Sequence, residues 1–209
     1  AIHPGYGFLA ENADFAQVCE QCNVTFIGPK PDQIAKMGDK ATARRLAREA
    51  GVPMLPGTGI LKDAADAALK AEEIGYPVML KATAGGGGRG IQVIYHPSQL
   101  KNTFERVRSE AAAAFGLGDC YMEKYSEHPR HVEIQVMCDT FGTYLHLGER
   151  DCTVQRRHQK LIEESPSPVV DEELRKSMGD AAVKLCRAVN YCNVGTVEFL
   201  VDENRNFYF

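Results

Sequence analysis

Apolar positions recur along the chain at two spacings, three to four residues in some stretches and two in others, and each change of period marks an element. A helical pattern covers about residues 11–22 and is followed by a short strand, "VTFIG". Asp39 is placed to cap a helix, "KATARRLAREA", that Gly51 and Pro53 end. Residues 63–74 read as a further helix stopped by "GYP"; then come the strand "YPVMLKA", a glycine loop and the strand "IQVIYH". A helix over 97–115 leads into the strand "CYMEKY". The runs "HVEIQVMCD" and "TYLHLGERD" are predicted to pair as a hairpin around Phe141 and Gly142. A helix then occupies about 171–189, and "GTVEFLVDENRNFYF" forms a second hairpin turning at 202–206. This order predicts a mixed α/β fold of α+β character with several antiparallel pairs, and not a regular βαβ repeat.

Composition narrows the class. The 209 residues, 44% hydrophobic and 25% charged, match an ordinary globular chain with one good-sized core or two small ones. A net charge of -4 gives no bulk attraction to nucleic acid or an anionic membrane surface, so basic residues matter only where they cluster. No apolar run approaches the roughly 20 residues of a membrane helix, and "AIHPGYGF" has the pattern of neither a signal nor a transit peptide. Seven scattered cysteines, an odd number, suit reduced thiols in an intracellular protein. Cys19 and Cys22 form a C-x-x-C pair inside a helical pattern with no second pair, which fits packing on a helix face better than a metal or redox site. Both termini read as cut, since residue 1 opens at what reads as the end of a strand and Phe209 lies inside an apolar run.

The stretch "KATAGGGGRG" carries the first candidate chemistry. Gly85, Gly87 and Gly90 satisfy G-x-G-x-x-G, but a strand follows where a dinucleotide fingerprint needs a helix, and no Gly-Lys-Ser/Thr ending makes it a P-loop. It reads as the tip of a hairpin. Such a tip is either a plain surface loop or a flap whose bare N–H groups fold over a polyphosphate, with Lys81 in reach as a point charge.

Two further stretches place polar residues where apolar ones are expected. In "HVEIQV", His131, Glu133 and Gln135 share one strand face, either a solvent face or a site. "ERDCTVQRRHQK" holds Arg150, Arg156, Arg157, His158 and Lys160 within eleven residues, read as a solvated charge run or, with Gln155 at loop spacing, as a cradle for small anions. Glu198 interrupts the apolar strand "GTVEFLVD" on the face of Thr196 and Leu200. A carboxylate there needs a partner, and oxygen is what Mg²⁺ takes; a second ligand is expected near the partner strand "NFYF".

Taken in order and from end to end, "HPGYGFLAEN", "FIGP", "MGDK", "GYPVMLKATAGGGGRG", "YMEKY", "PRHVEIQV", "ERDCTVQRRHQK", "EESPSP" and "GTVEFL" resemble biotin carboxylase. That family is the ATP-grasp component of acetyl-CoA, propionyl-CoA, methylcrotonyl-CoA and pyruvate carboxylases. The resemblance implies a partial ATP-grasp fold with the tail of a Rossmann-like N-terminal domain. Residues 1–30 would end that domain, 31–52 form connecting helices, 53–125 a glycine-loop lid, and 126–209 the first part of the central domain. By motif, Lys40 and Lys81 resemble the lysines on the ATP phosphates, and Gly87 and Gly88 the lid contacts. Glu123, Lys124, Tyr125 and Ser126 resemble the hinge around adenine, and His131, Gln155 and His158 further nucleotide contacts. Lys160 resembles the bicarbonate lysine, a catalytic position with His158 beside it, and Glu198 the first of two carboxylates for Mg²⁺ (or Mn²⁺). Ala84 stands where some relatives have a fifth consecutive glycine; the second metal Glu, an Asn ligand, a catalytic Arg and the base are expected beyond Phe209.

The implied reaction uses ATP, Mg²⁺ and bicarbonate to make carboxyphosphate, and carboxylates biotin on a carrier protein. It is the first half-reaction of acetyl-CoA carboxylase in fatty acid biosynthesis. The implied partners are a biotin carboxyl carrier protein and a carboxyltransferase. A homodimeric parent enzyme is implied too, in the cytoplasm or an organelle, with no nucleic acid and no membrane. Two other readings stay open: another ATP-grasp ligase, such as a carbamoyl-phosphate or carboxylate–amine ligase, and a nucleotide-binding module without turnover. The 209 residues by themselves are expected to bind nucleotide but to lack part of the active site.

Overall fold

A computed structural model describes residues 1–83, 90–156 and 159–209, without the side chains of Lys40, Ala41 and Phe115. The chain divides into two compact units, residues 1–54 with 128–209, and residues 55–127.

Three helices open the first unit: α1 (Ala13–Gln21), α2 (Pro31–Gly38) and α3 (Lys40–Glu49). Short polar side chains start two of them by accepting otherwise unpaired first-turn N–H groups: Asn12 from Phe15 at 2.7 Å and Asp39 from Thr42 at 2.8 Å. The predicted strand "VTFIG" does not form. Phe26 makes one isolated parallel bridge to Ile2, and among the described residues no further pairing extends it into a ladder.

In the unit 55–127, α4 (Ala64–Ile74), capped by Asp63, precedes strands β1 (Val78–Ala82) and β2 (Ile91–Ile94). Helix α5 (Pro97–Phe115) and strand β3 (Cys120–Lys124) follow, and the sheet is antiparallel in the order β2-β1-β3. Alternation along β1 buries Val78, Leu80 and Ala82. With Ile94 and Met122 they meet Leu100, Phe104 and Val107 of α5 and Ala67 and Ala71 of α4. Register therefore turns Met79, Lys81, Ile91, Val93, Tyr121 and Glu123 to the opposite face.

The rest of the first unit is a five-stranded antiparallel sheet backed by one helix. Its elements are β4 (Arg130–Cys138), β5 (Tyr144–Arg156), β6 (Gln159–Glu164), α6 (Glu172–Ala188), β7 (Asn193–Val201) and β8 (Phe207–Tyr208), in sheet order β6-β5-β4-β7-β8. Both expected hairpins form. Asp139 turns β4 into β5 by accepting from Phe141 and Thr143, each at 2.8 Å, and Asp202 turns β7 into β8 by accepting from Asn204 and Asn206. Val132, Ile134, Val136, Val197 and Phe199 pack on Met178, Ala182 and Leu185 of α6. Apart from the alanine, each such side chain contributes about 1.5–3 kcal/mol on burial.

One element differs from the expected pattern where the cations lie. The second strand of the first hairpin does not stop near Asp151 but runs to Arg156, and residues 159–164 return beside it as β6. Arg150, Arg156 and Lys160 thus sit on paired strands and not at loop spacing, because β6 gives the extended strand a partner to bond to. Among the described residues no helix is long and apolar enough to cross a membrane.

Candidate functional site

On the sheet face away from α6, strand register assembles a row of charges. Antiparallel pairing sets Glu133 of β4 directly opposite Glu198 of β7 on one side and Arg150 of β5 on the other. Lys160 enters from β6, and its ammonium donates to Glu133 Oε2 at 2.5 Å and Glu198 Oε1 at 2.7 Å. Arg150 donates from Nε to Glu133 Oε1 at 2.7 Å, makes a second contact to that oxygen, and reaches Gln135 Oε1 at 2.9 Å. Gln135 in turn donates to the Gly195 carbonyl at 2.8 Å. Glu133 is the centre of the row, buried between two cations.

Burial alone would raise the Glu133 carboxyl, but hydrogen bonds from Lys160 and Arg150 outweigh it and hold the group below its ordinary value. Burial also opposes the Lys160 ammonium, and the two carboxylates reverse that and raise it. Lys160 is therefore a fixed cation at neutral pH and not a proton acceptor. Glu133, Cys152 and Glu163 bring ligand atoms within 4.8 Å of one another, but two cations already neutralise Glu133. Burial first, and then the Glu133 charge, push the Cys152 thiol up to about 11, so it stays protonated. Those three suit a divalent ion poorly. Glu198, 61% exposed, keeps an oxygen available and is the better oxygen ligand.

Beneath the row, on the α6 side, two buried acids are neutralised from behind. Arg175 of α6 clasps Glu149 through two nitrogens at 2.7 and 2.8 Å, and Arg130 does the same to one Asp151 oxygen at 3.1 and 3.0 Å. Ser167 of "EESPSP" donates its hydroxyl to Asp151 at 2.9 Å and its N–H to Glu149 at 3.2 Å. For both acids burial raises the carboxyl, and the hydrogen bonds win and lower it. The stretch "EESPSP" is therefore part of the support under β5.

In the unit 55–127, Lys81 donates to the buried Glu123 carboxylate at 2.5 Å. Lys124 turns its ammonium to the carbonyls of Gly75 and Tyr76 at 3.0 and 2.9 Å, at the end of α4, while its backbone N–H bonds Pro56 at 2.8 Å. The Tyr125 ring meets Tyr95 edge-on at 6.2 Å, and Ser126 is half-buried.

The remaining candidates fall out as follows. Gln155 donates to the Cys152 carbonyl at 2.9 Å, and the half-buried His131 is anchored through its backbone N–H to the Thr153 hydroxyl at 3.0 Å. Lys40 is the first residue of α3, with its side chain outside the description. Gly87, Gly88 and His158 lie outside the described residues. Glu198 is paired with Lys160, and on the neighbouring β8 Phe207 and Tyr208 stand beside Val201 and Leu200. The sequence placed Glu133 and Gln135 on one strand face and Arg150 in the basic cluster, but gave none of the three a specific contact. The alternation in "HVEIQV" was a signal for Glu133 and Gln135, but the register that brings Arg150 and Lys160 to them was not visible.

Two family descriptions match the chain: "Carbamoyl-phosphate synthase L chain, ATP binding domain" over residues 39–209 and "Biotin carboxylase, N-terminal domain" over residues 1–34. All of the chain aligns with biotin carboxylase 1 of Bacillus subtilis at 58% identity and with the chloroplastic biotin carboxylase of Arabidopsis thaliana at 55%. It spans 47% and 39% of those relatives, about half their length or less. Among solved structures, all of the chain matches 46% of the biotin carboxylase domain of Hydrogenobacter thermophilus 2-oxoglutarate carboxylase, at TM-score 0.82 and 51% identity. That domain was crystallised as a dimer in complex with MgADP, ADP and bicarbonate.

Proposed function

The chain belongs to the biotin carboxylase family, with the ATP-grasp fold, and from that premise we propose that it serves ATP- and bicarbonate-dependent carboxylation of biotin. The observation that carries the reading is Lys160 fixed between Glu133 and Glu198 on an open sheet face. A cation held permanently charged suits a small anion such as bicarbonate, and the exposed Glu198 beside it suits Mg²⁺ on a nucleotide. Mg²⁺ when bound would neutralise phosphate charge, and Glu198 would be its protein ligand.

The sheet of the unit 55–127 supports the nucleotide half. By motif, Lys81, Lys40, Gly87 and Gly88 would each contact phosphate. The apolar Met79, Ile91 and Val93 share the Lys81 face and would lie against the purine. The hinge 123–126 would hold adenine through its backbone, and His131, Gln155 and His158 would complete the nucleotide contacts. The domain division of a lid over about 53–125, between an N-terminal tail and the central domain, is part of this proposal. So are a carrier protein bearing biotin, a carboxyltransferase, a homodimeric parent, and a cytoplasmic or organellar setting. Acetyl-CoA carboxylase is the proposed parent; by itself the chain would bind nucleotide without turnover.

Calorimetric titration with ATP, with and without Mg²⁺, tests the binding half. Micromolar to millimolar binding that Mg²⁺ strengthens is expected, and absence of binding refutes it. In a chain extended to the relatives' length, bicarbonate-dependent ADP formation stimulated by free biotin is expected. Bicarbonate-dependent turnover indifferent to biotin would favour the carbamoyl-phosphate-type ligase whose ATP-binding family covers residues 39–209.

A further inference from the structure

We propose that the carboxylate of Glu123 is the positioning residue for Lys81, an inference that rests on the phosphate role of Lys81 proposed above. The hinge motif places Glu123 beside adenine and leaves open what its carboxylate holds. The side chain has its own engagement: it is 4% exposed and accepts from the Lys81 ammonium at 2.5 Å.

The two residues are diagonal neighbours. On the β1–β3 pair Lys81 stands opposite Tyr121 and Met79 opposite Glu123, so both project from the same face two positions apart, within reach of a long side chain. The strand carrying Glu123 is held at both edges. On one side it pairs with β1; on the other Gly57 bridges Glu123, Thr58 donates to the Met122 carbonyl and Leu61 to the Cys120 carbonyl, both at 2.8 Å. A carboxylate on a backbone fixed twice over is a rigid anchor.

Lysine needs such an anchor. Its ammonium is a point charge on a flexible four-carbon stem, and a free stem must lose its rotamer freedom when phosphate arrives. Glu123 fixes the stem beforehand through one of the three ammonium donors, and among the described residues the other two meet no further acceptor, so they can turn to phosphate oxygens. The neighbouring Lys124 shows the contrast, since its ammonium caps the carbonyls of Gly75 and Tyr76 and is turned to structure.

The test is calorimetry on the full chain with ATP and with adenosine, for Glu123→Gln, Lys81→Met and the double variant. Glu123→Gln should weaken ATP about tenfold, the scale of one charge-assisted hydrogen bond, and adenosine by clearly less. The double variant should bind ATP no more weakly than Lys81→Met alone, because the anchor has nothing left to hold. ATP affinity unchanged in Glu123→Gln, equal losses for ATP and adenosine, or additive losses in the double variant would each overturn the positioning role. If Lys81→Met binds ATP like the parent, the phosphate role of Lys81 itself fails. Should Glu123→Gln not fold, Glu123→Asp withdraws the same charge by one methylene; a selective loss of ATP supports the proposal and none overturns it.

Discussion

Glu133 and Glu198 stand directly opposite each other on neighbouring strands, two carboxylates that one lysine ammonium keeps together at 2.5 and 2.7 Å. Like charges in directly opposed positions destabilise a sheet, so the pair is tolerable only with a cation between them. The same cation is the candidate anion site, so binding chemistry and sheet stability depend on one residue.

Lys160→Met should lower stability, by about 1–2 kcal/mol given that the cluster is half open to solvent. Its pH dependence has a definite sign. The Glu133 pKa is lowered in the fold, so its share of stability is present above the ordinary value of 4.5 and fades as the pH falls through the lowered one. The Lys160 pKa is raised, so its share is present below the ordinary 10.5 and fades as the pH rises through the raised one. Thermal unfolding from pH 3 to 11 should show a parent-minus-variant difference that is flat between those two values and shrinks at both ends. A difference independent of pH would remove the ion pairs as its cause.

Glu198→Gln should weaken ATP roughly tenfold in the presence of Mg²⁺ and hardly at all in its absence. Calorimetry with excess Mg²⁺ and with EDTA measures both. Equal losses would contradict the metal-ligand role.

Arg175→Ala should cost about 3 kcal/mol in urea unfolding, because it strands Glu149 as a buried charge. Replacing both partners, Arg175→Met with Glu149→Leu, should recover most of that. If the double variant is no better than the single, the loss came from packing and not from an uncompensated charge.

Lys124→Met should destabilise the chain by about 1 kcal/mol through the end of α4, and leave ATP affinity within twofold. A large loss of ATP affinity would return the Lys124 side chain to the nucleotide site.

Much of the fold was legible because its causes are local. Asp39, Asp63 and Asp171 each cap a helix by bonding N–H groups two or three residues on, and both hairpin turns are set by an aspartate bonding within four residues. The misread parts depend on partners. "VTFIG" has strand composition but among the described residues makes only a single bridge, to Ile2, whereas β5 continues past Asp151 because β6 lies alongside it.

The site divides along the same line. Residue types and motif order along the chain determined the family, the candidate lysines and the acid at 198, since those properties belong to the chain itself. Only the folded sheet decided that Lys160 bridges Glu133 and Glu198, that Arg150 closes the row, that Lys81 rests on Glu123 and that Lys124 turns away. These contacts join residues 15 to 49 positions apart, and strand register, settled by which faces can be buried, brings them together.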